Sequence, residues 1–125
     1  MRPGKVLVVD DELEVRLVLS EFLSSRGYDV STASGGAEAV AMVEIMKPDL
    51  VLLDVAMPDM DGVETLKRMV AIEPALAVIM VTANGDIGTT SKLLGLGAVD
   101  YVPKPVDLDY LDQAVSTQVT AAQDC

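Results

Sequence analysis

The stretch VLLDVAMPDMDG, residues 51–62, carries the clearest structural signal in the sequence. Its first three residues are apolar and lead directly to Asp54, and Pro58 and Gly62 then indicate a turn. A short apolar run that ends at turn residues is typical of a strand buried on both faces of a sheet. A carboxylate beside such a strand is costly to bury unless a cation pairs with it. The stretch therefore predicts a central strand, with an ion-paired or chemically active carboxylate at Asp54.

Strands and helices alternate on both sides of this stretch. Apolar β runs predict strands at Lys5–Val9, Tyr28–Ala33, Asp49–Leu53, Leu76–Val81 and Val99–Val102. Apolar residues at helical spacing predict helices at Glu12–Ser25, Ala37–Met46, Gly62–Ile72, Asp86–Leu96 and Leu108–Ala122. Because the strands are continuously apolar and each is followed by a helix, we expect a parallel sheet with helices on both faces.

The order of the strands follows from their relative hydrophobicity. The first, third and fourth predicted strands are the most apolar, which places them at the centre of the sheet. This arrangement fits the doubly wound, flavodoxin-like (βα)5 fold of the α/β class, a five-stranded parallel sheet in the order 2-1-3-4-5. A length of 125 residues without a linker or repeat predicts one domain over residues 1–125.

The composition argues against several classes of function. The formal net charge is −11, so the chain should repel phosphate backbones and is not expected to bind nucleic acid directly. Histidine is absent, which removes the commonest general base, and Cys125 is the single cysteine, so no disulfide framework is expected. The sequence also lacks a signal peptide and an apolar run of membrane length. These features predict a cytoplasmic protein that does not associate with a membrane.

Polar residues occur where four of the predicted strands end. Asp10 and Asp11 follow the first strand, Asp54 the third, Thr82 the fourth and Lys104 the fifth. In an open parallel sheet the carboxyl ends of the strands border the crevice in which ligands bind. Crowded carboxylates repel one another unless a cation is present, and Mg²⁺ combines one or two carboxylates with water and phosphate oxygens. The sequence therefore predicts Mg²⁺-dependent phosphoryl chemistry at this edge.

Asp54 is the best candidate for the nucleophile among these acids. It stands alone at its strand end, whereas Asp10 and Asp11 form an adjacent pair suited to holding a metal ion. An aspartate can attack phosphorus to give an aspartyl phosphate, whose oxygens Thr82 and Lys104 could bind. A simpler interpretation of the acidic pair is that it caps the first helix, where acidic residues are favourable. The two roles can coexist.

Four phrases along the chain resemble one known family. They are VLVVDDE (residues 6–12), LVLLDVAMPDMDG (50–62), VIMVTA (78–83) and GAVDYVPKP (97–105). In order and spacing they resemble the receiver domain of two-component response regulators, the CheY-like receivers. The resemblance spans essentially the whole chain and implies a phosphoacceptor domain of a phosphorelay.

The resemblance implies a role for each acidic site residue. Asp54 would be the phosphoacceptor. Asp11, Asp54 and the backbone carbonyl of Ala56 would bind Mg²⁺, and Asp10 would hold the ion through water. Many relatives carry a larger polar residue in place of Ala56, but a carbonyl ligand requires no particular side chain.

The resemblance also implies the behaviour of the residues around the phosphoryl group. Lys104 would pair with that group, and the Lys104–Pro105 peptide bond would be cis, which is a minority state for X–Pro bonds. Thr82 would swing toward the phosphate as a switch residue, and Tyr101 would turn inward behind it.

Partners follow from the same resemblance. The phosphoryl group would come from a phosphohistidine on a sensor histidine kinase or a histidine phosphotransfer protein. The signal would pass to a downstream effector protein or a covalently linked output domain, through the surface of the fourth helix, fifth strand and fifth helix. The chain is expected to be a stand-alone receiver or the N-terminal receiver of a longer regulator. It would act mainly as a signalling switch, with self-catalysed phosphotransfer and autodephosphorylation.

Two other classes fit part of the pattern. A phosphatase of the haloacid dehalogenase type also uses an aspartate nucleophile, but it requires a second aspartate two residues later, where this chain has Ala56. A flavodoxin-like mononucleotide binder should have a Gly- and Ser/Thr-rich phosphate loop after the first strand. This chain has Asp10, Asp11 and Glu12 there, and an acidic loop repels phosphate.

Overall fold

The structure is a computed structural model that describes residues 4–55, 62–82 and 87–123. Within these residues, five strands and five helices alternate along the chain. The strands are β1 (Lys5–Val9), β2 (Asp29–Ala33), β3 (Leu50–Asp54), β4 (Ala77–Thr82) and β5 (Asp100–Pro103). The helices are α1 (Leu13–Ser25), α2 (Gly36–Met46), α3 (Gly62–Ile72), α4 (Ile87–Gly95) and α5 (Leu108–Gln123). Each predicted element is present, and its ends differ from the prediction by no more than one residue.

The described strands form one parallel sheet in the order β2-β1-β3-β4-β5, which confirms the predicted topology. Every residue of β3 and β4 is buried, as expected for central strands with helices on both faces. The polar edge strand β2 is partly exposed instead. The burial of each strand therefore follows its composition, and the most apolar strands lie in the middle of the sheet.

Among the described residues, buried apolar side chains form two clusters, one on each face of the sheet. Neighbouring residues of a strand point to opposite faces, so Leu7 and Val8 belong to different clusters. The Leu7 cluster includes side chains from α2, α3 and α4, and the Val8 cluster includes side chains from α1 and α5. None of the described helices is both long and apolar enough to span a membrane.

Two helix ends are set by left-handed backbone conformations. Gly27, just past α1, has φ of 94°, which glycine adopts without steric cost, and this conformation ends the helix. Lys47, at the C-terminal end of α2, has φ of 49°, and its N–H donates to the carbonyl of Val43 at 3.1 Å. Pro48 follows and prevents the helix from continuing.

The start of α3 lies directly against the end of β3. The N–H of Gly62 donates to the carbonyl of Val55 at 2.7 Å. A Cβ atom on Gly62 would lie 2.6 Å from the Asp54 carbonyl oxygen and 2.6 Å from the Val55 Cα. Only glycine therefore fits at this junction, where the backbone of α3 supports the strand end that carries Asp54.

Candidate functional site

The carboxyl edge of the sheet brings together four of the residues singled out from the sequence. Asp10 directly follows β1, Asp54 and Thr82 are the last residues of β3 and β4, and Lys104 directly follows β5. Asp10, Asp54 and Thr82 are 2%, 4% and 6% exposed, so their polar groups are nearly removed from solvent. A buried carboxylate requires a cation or hydrogen-bond donors, and the neighbouring loops supply both.

The ammonium of Lys104 lies between three carboxylates. Its Nζ is 3.2 Å from Asp10 Oδ2, 3.6 Å from Asp54 Oδ2 and 3.7 Å from Glu12 Oε1. The Lys104 side chain is only 20% exposed, so these contacts are shielded from solvent more than a surface ion pair is. Lys104 therefore links the acidic turn after β1 to the acid at the end of β3.

The environment of Lys104 favours its charged form. Burial on its own would lower the pKa of Lys104, because it penalises the ammonium. The hydrogen bond to Asp10 and the charge of Asp10 oppose this effect, and the charges of Asp54 and then Glu12 add to them. The pKa of Lys104 is consequently raised above its ordinary value of 10.5, so this residue is a permanent cation at neutral pH.

Asp10 is held by the protein on every side. Its Oδ1 accepts the N–H of Glu12 at 2.9 Å and its Oδ2 accepts a hydrogen bond from Lys104 Nζ. Its own N–H donates to the carbonyl of Ala33 at 3.2 Å, and its carbonyl accepts from Arg16 Nη1 at 2.7 Å. Asp10 does not cap α1, because the N-cap residue is Glu12 and no side chain caps the helix; the Asp10 carboxylate instead holds the N–H of Glu12 itself.

A compact acidic group follows β1. Asp10, Asp11 and Glu12 offer carboxylate oxygens that all lie within 4.8 Å of one another. Asp11 and Glu12 are exposed, whereas Asp10 is buried. Glu12 was not among the site residues predicted from the sequence, although its place directly after the Asp pair was a usable signal. Asp54 connects to this group through Lys104.

The loop after β5 is tied to the end of β4. The N–H of Lys104 donates to the carbonyl of Thr82 at 2.7 Å, and Thr82 is the register partner of Pro103. The peptide bond between Lys104 and Pro105 is cis. These backbone contacts fix the root of the Lys104 side chain close to the Thr82 strand end.

Tyr101 and Ala56 complete the set predicted from the sequence. Tyr101 is half-buried on β5 and packs against the cluster that contains Leu7. Its N–H donates to Asp100 Oδ1 at 2.8 Å. Ala56, proposed as a carbonyl ligand, lies outside the described residues.

This geometry suits an oxyanion together with a divalent cation. Oxygen ligands at about 2.1 Å from Mg²⁺ lie at most about 4.2 Å apart, close to the spacing that the acidic group already has. A carboxylate beside a fixed ammonium can approach a phosphoryl group whose negative oxygens the ammonium attracts. The site therefore combines a buried carboxylate, a group of carboxylate oxygens that could hold a cation and a fixed positive charge.

Comparisons with known proteins point to one family. The family model for the response regulator receiver domain matches residues 6–116. Sporulation initiation phosphotransferase F of Bacillus subtilis (strain 168) is 40% identical over 115 residues, covering 92% of this chain and 93% of that protein. Regulatory protein AtoC of Escherichia coli (strain K12) is 40% identical over 112 residues, 90% of this chain but only 24% of that protein.

The fold comparison agrees with the sequence comparisons. A CheY-like response regulator receiver domain protein from Methanospirillum hungatei JF-1 superimposes with a TM-score of 0.92 at 28% identity, covering 98% of each chain. The chain thus spans nearly all of one relative and about a quarter of another, where it matches a receiver within a longer regulator. It belongs to the receiver domain family of two-component response regulators.

Proposed function

We propose that Asp54 accepts a phosphoryl group from a phosphohistidine on a partner protein. The observation that carries this proposal is the position of Lys104 Nζ, 3.6 Å from Asp54 Oδ2 and 3.2 Å from Asp10 Oδ2. A nucleophilic carboxylate must approach phosphoryl oxygens that carry the same charge, and a nearby fixed cation lowers this repulsion. Family membership supports the same assignment.

In the transfer step, an Oδ atom of Asp54 forms a bond to phosphorus while the P–N bond to the partner's imidazole breaks. The electron pair of the P–N bond returns to the imidazole nitrogen, which takes a proton from solvent. Lys104 holds the phosphoryl oxygens, and the buried setting of Asp54 keeps competing water away from the attacking oxygen. Hydrolysis of the aspartyl phosphate by water would later reset the domain.

The residues after β1 suit a magnesium ion. We infer that Asp11 and Asp54 would bind Mg²⁺ directly, together with the carbonyl of Ala56. Asp10 would act through water, since both of its carboxylate oxygens already accept hydrogen bonds from the protein. When bound, the ion supplies positive charge that neutralises the phosphoryl oxygens.

We propose Thr82 and Tyr101 as the residues that respond to phosphorylation. Thr82 is the last residue of β4, the strand that pairs with the Asp54 strand, which supports a role for its hydroxyl in binding a phosphoryl oxygen. Tyr101 lies one strand further along, paired with Met80 of the same strand β4. A shift of Thr82 toward the phosphate would open space that Tyr101 could enter, which couples Asp54 to the surface formed by α4, β5 and α5.

The phosphohistidine partner, a sensor histidine kinase or a histidine phosphotransfer protein, must reach the edge that carries Asp54. The exposed side of α1 offers Leu13, Leu17 and Val18, which are 59%, 54% and 53% exposed. Val18 also lines a groove of about 330 Å³ that extends to Lys104 and Pro105. We infer that the partner docks on this apolar surface, because it borders the site directly.

A charge substitution on α1 tests this docking surface. Leu17→Glu should slow transfer from autophosphorylated histidine kinases about tenfold, because it places a charge in the apolar contact. Ile45→Glu is the matched control, since Ile45 is 83% exposed on α2. Equal rates for the two variants across a panel of kinases would contradict docking on α1.

We further propose that residues 1–125 form one receiver domain that works in the cytoplasm, where a single cysteine stays reduced. Its output passes through the α4, β5 and α5 surface to an effector protein or to a linked output domain. Both arrangements occur among its relatives, since one is matched over 93% of its length and another over 24%.

Intact mass spectrometry tests the central proposal. Incubation with Mg²⁺ and acetyl phosphate should add one phosphoryl group to the wild type. The adduct should be missing in Asp54→Asn and in samples that contain a chelator. If no adduct forms and the phosphoryl mimic beryllofluoride also fails to bind, the assignment of Asp54 as acceptor is wrong.

A further inference from the structure

Arg16 contacts the acidic turn with two different groups. Its guanidinium Nη1 donates to the backbone carbonyl of Asp10 at 2.7 Å. Its backbone N–H donates to the carbonyl of Glu12 at 3.1 Å. Arg16 is half-buried in the first turns of α1, so both contacts arise from a rigid element. Arg16 therefore contacts both the first and the last residue of the turn formed by Asp10, Asp11 and Glu12.

The contact with the Asp10 carbonyl fixes the backbone from which Asp11 projects. The carboxylate and the N–H of Asp10 are already held by Glu12, Lys104 and Ala33. The hydrogen bond from Glu12 closes a turn that contains the peptide plane between Asp10 and Asp11, and Arg16 Nη1 restrains the same plane a second time by holding its carbonyl. Rotation of this plane would redirect the Asp11 side chain, which is exposed and offers a carboxylate oxygen to the acidic group.

We propose that Arg16 is a positioning residue for the divalent-cation site. By holding the Asp10 carbonyl, it fixes the direction of the Asp11 carboxylate and pre-orders the acidic turn for an ion. This inference rests on the proposed magnesium site, but it assigns a task to a residue that touches neither the ion nor the phosphoryl group. Groups that orient metal ligands typically change metal affinity 10- to 100-fold when they are removed.

The test is a magnesium titration of the folded protein, followed by the amide resonances of residues 10–13 in ¹⁵N-labelled samples. Arg16→Met keeps an unbranched apolar stem but removes the donor, and it should weaken Mg²⁺ binding about tenfold. Arg16→Lys keeps a charged donor on a slightly shorter side chain, and it should recover part of the lost affinity. Unchanged affinity in Arg16→Met would overturn the proposal.

Arg26→Met is the charge-matched control. Arg26 lies at the other end of α1, about 15 Å along the helix from Arg16. It stacks on Phe22 and pairs with Asp112 at 3.9 Å. Its loss should change Mg²⁺ affinity less than twofold. A loss equal to that of Arg16→Met would show that removal of an arginine far from the Asp10 carbonyl weakens the site as much, and it would overturn the positioning role.

Urea unfolding of each variant without metal separates a loss of positioning from general destabilisation. A fully folded variant that binds Mg²⁺ more weakly has lost only the orientation of the acidic turn. If Arg16→Met does not fold, Arg16→Gln replaces it, since its amide is too short to reach the Asp10 carbonyl and should give the same loss. Wild type that binds no Mg²⁺ would overturn the proposed metal site and this inference together, whereas normal wild-type binding with unaffected variants would overturn only the role of Arg16.

Discussion

At the residue scale, Asp11 adds negative charge to the acidic group, and within the described part of the chain it makes no ion pair with Lys104. Lys104 pairs with Asp10, Glu12 and Asp54, while Asp11 is exposed within the same compact group. Without a metal ion, like charges at this spacing repel one another. The residue that we propose as a direct Mg²⁺ ligand is therefore also a source of instability in the metal-free protein.

Substitution of Asp11 should separate stability from metal binding. Asp11→Asn should raise the metal-free free energy of unfolding by about 0.5 kcal/mol, because it removes one repelling charge. Wild type should gain about 1.4 kcal/mol at a Mg²⁺ concentration ten times its Kd, and Asp11→Asn should gain almost nothing. Urea unfolding with and without Mg²⁺ measures both effects. A metal-free variant less stable than wild type would contradict the repulsion argument.

Tyr110 gives the protein a pH-dependent contact on the α5 side of β5. Burial, the charge of Asp100 and a hydrogen bond to Asp100 all raise the pKa of Tyr110 above its ordinary value of 10.0. Its hydroxyl donates to the Asp100 carboxylate at 3.4 Å. Because the folded state holds this proton more tightly than the unfolded state, the resulting stability is present below pH 10 and is lost as pH rises through the folded-state pKa.

The ionisation of Tyr110 can be followed by its absorbance near 295 nm, with Tyr110→Phe as the spectral blank. Wild-type Tyr110 should ionise at a higher pH than the same residue in Asp100→Asn, which lacks the neighbouring charge. The urea midpoint of wild type should also fall more steeply above pH 10 than that of Tyr110→Phe. Identical titrations in wild type and Asp100→Asn would show that Asp100 does not control Tyr110.

At the scale of elements, the junction between β3 and α3 depends on one missing side chain. The backbone of Gly62 lies so close to Asp54 and Val55 that a Cβ atom would overlap both residues. The start of α3 therefore packs directly behind the acid that we assign as the phosphoacceptor. A shift of the start of α3 would move Asp54 relative to Lys104.

Gly62→Ala should destabilise the protein by about 1–3 kcal/mol, because a methyl group cannot enter this contact without moving backbone. Gly95→Ala is the matched control, since a Cβ on Gly95 meets nothing within 4 Å and should leave stability within about 0.5 kcal/mol of wild type. Thermal unfolding of both variants gives the comparison. Equal stability of the two variants would mean that the backbone at the junction of β3 and α3 moves without cost to accept the methyl group.

The helices and strands could be predicted from the sequence because burial dictated their patterns. Central strands such as β3 needed apolar residues on both faces, and Gly27 and Pro48 marked helix ends through their backbone restrictions. The third strand was predicted to end at Leu53, with Asp54 directly after it, but β3 includes Asp54 because pairing with Val81 of β4 extends the strand by one residue. Backbone pairing between strands is a tertiary effect that local composition does not encode.

The site could be predicted only in part, because some of its contacts depend on the conformations of long side chains. Strand order alone brought Asp10, Asp54 and Lys104 to one edge. The contacts of Arg16 and Glu12 depend on the rotation of α1 about its axis and on side-chain conformers, which periodicity does not specify. Arg16 looked like an ordinary polar helix residue, and nothing in its local sequence signalled the Asp10 carbonyl.

The charge of the whole molecule opposes its compact form. The sequence has nine basic and twenty acidic residues, which gives a formal net charge of −11. Part of this excess is gathered at the carboxyl edge of the sheet, where the acidic turn lies. Repulsion of this kind weakens as salt shortens the distance over which exposed charges interact, from about 10 Å at 0.1 M to about 3 Å at 1 M.

Added salt should therefore stabilise the protein. The urea midpoint should rise between 0.02 M and 0.5 M KCl, because the folded chain holds its excess acids closer together than the unfolded chain does. Asp11→Asn should gain less than wild type over the same range, since it starts with one repelling charge fewer. A midpoint that falls with KCl would show that attractive ion pairs, such as those of Lys104, outweigh the general repulsion.

The contact between Lys104 and Asp10 joins residues that are 94 positions apart in the chain. A ribosome that adds about 5–20 residues per second needs roughly 5 to 20 s to synthesise the segment between them. During that interval the nascent chain has Asp10, and later Asp54, but lacks the ammonium that pairs with both. On the role that we propose for Lys104, a chain still being translated cannot yet accept a phosphoryl group, and only chains that have completed β5 can do so.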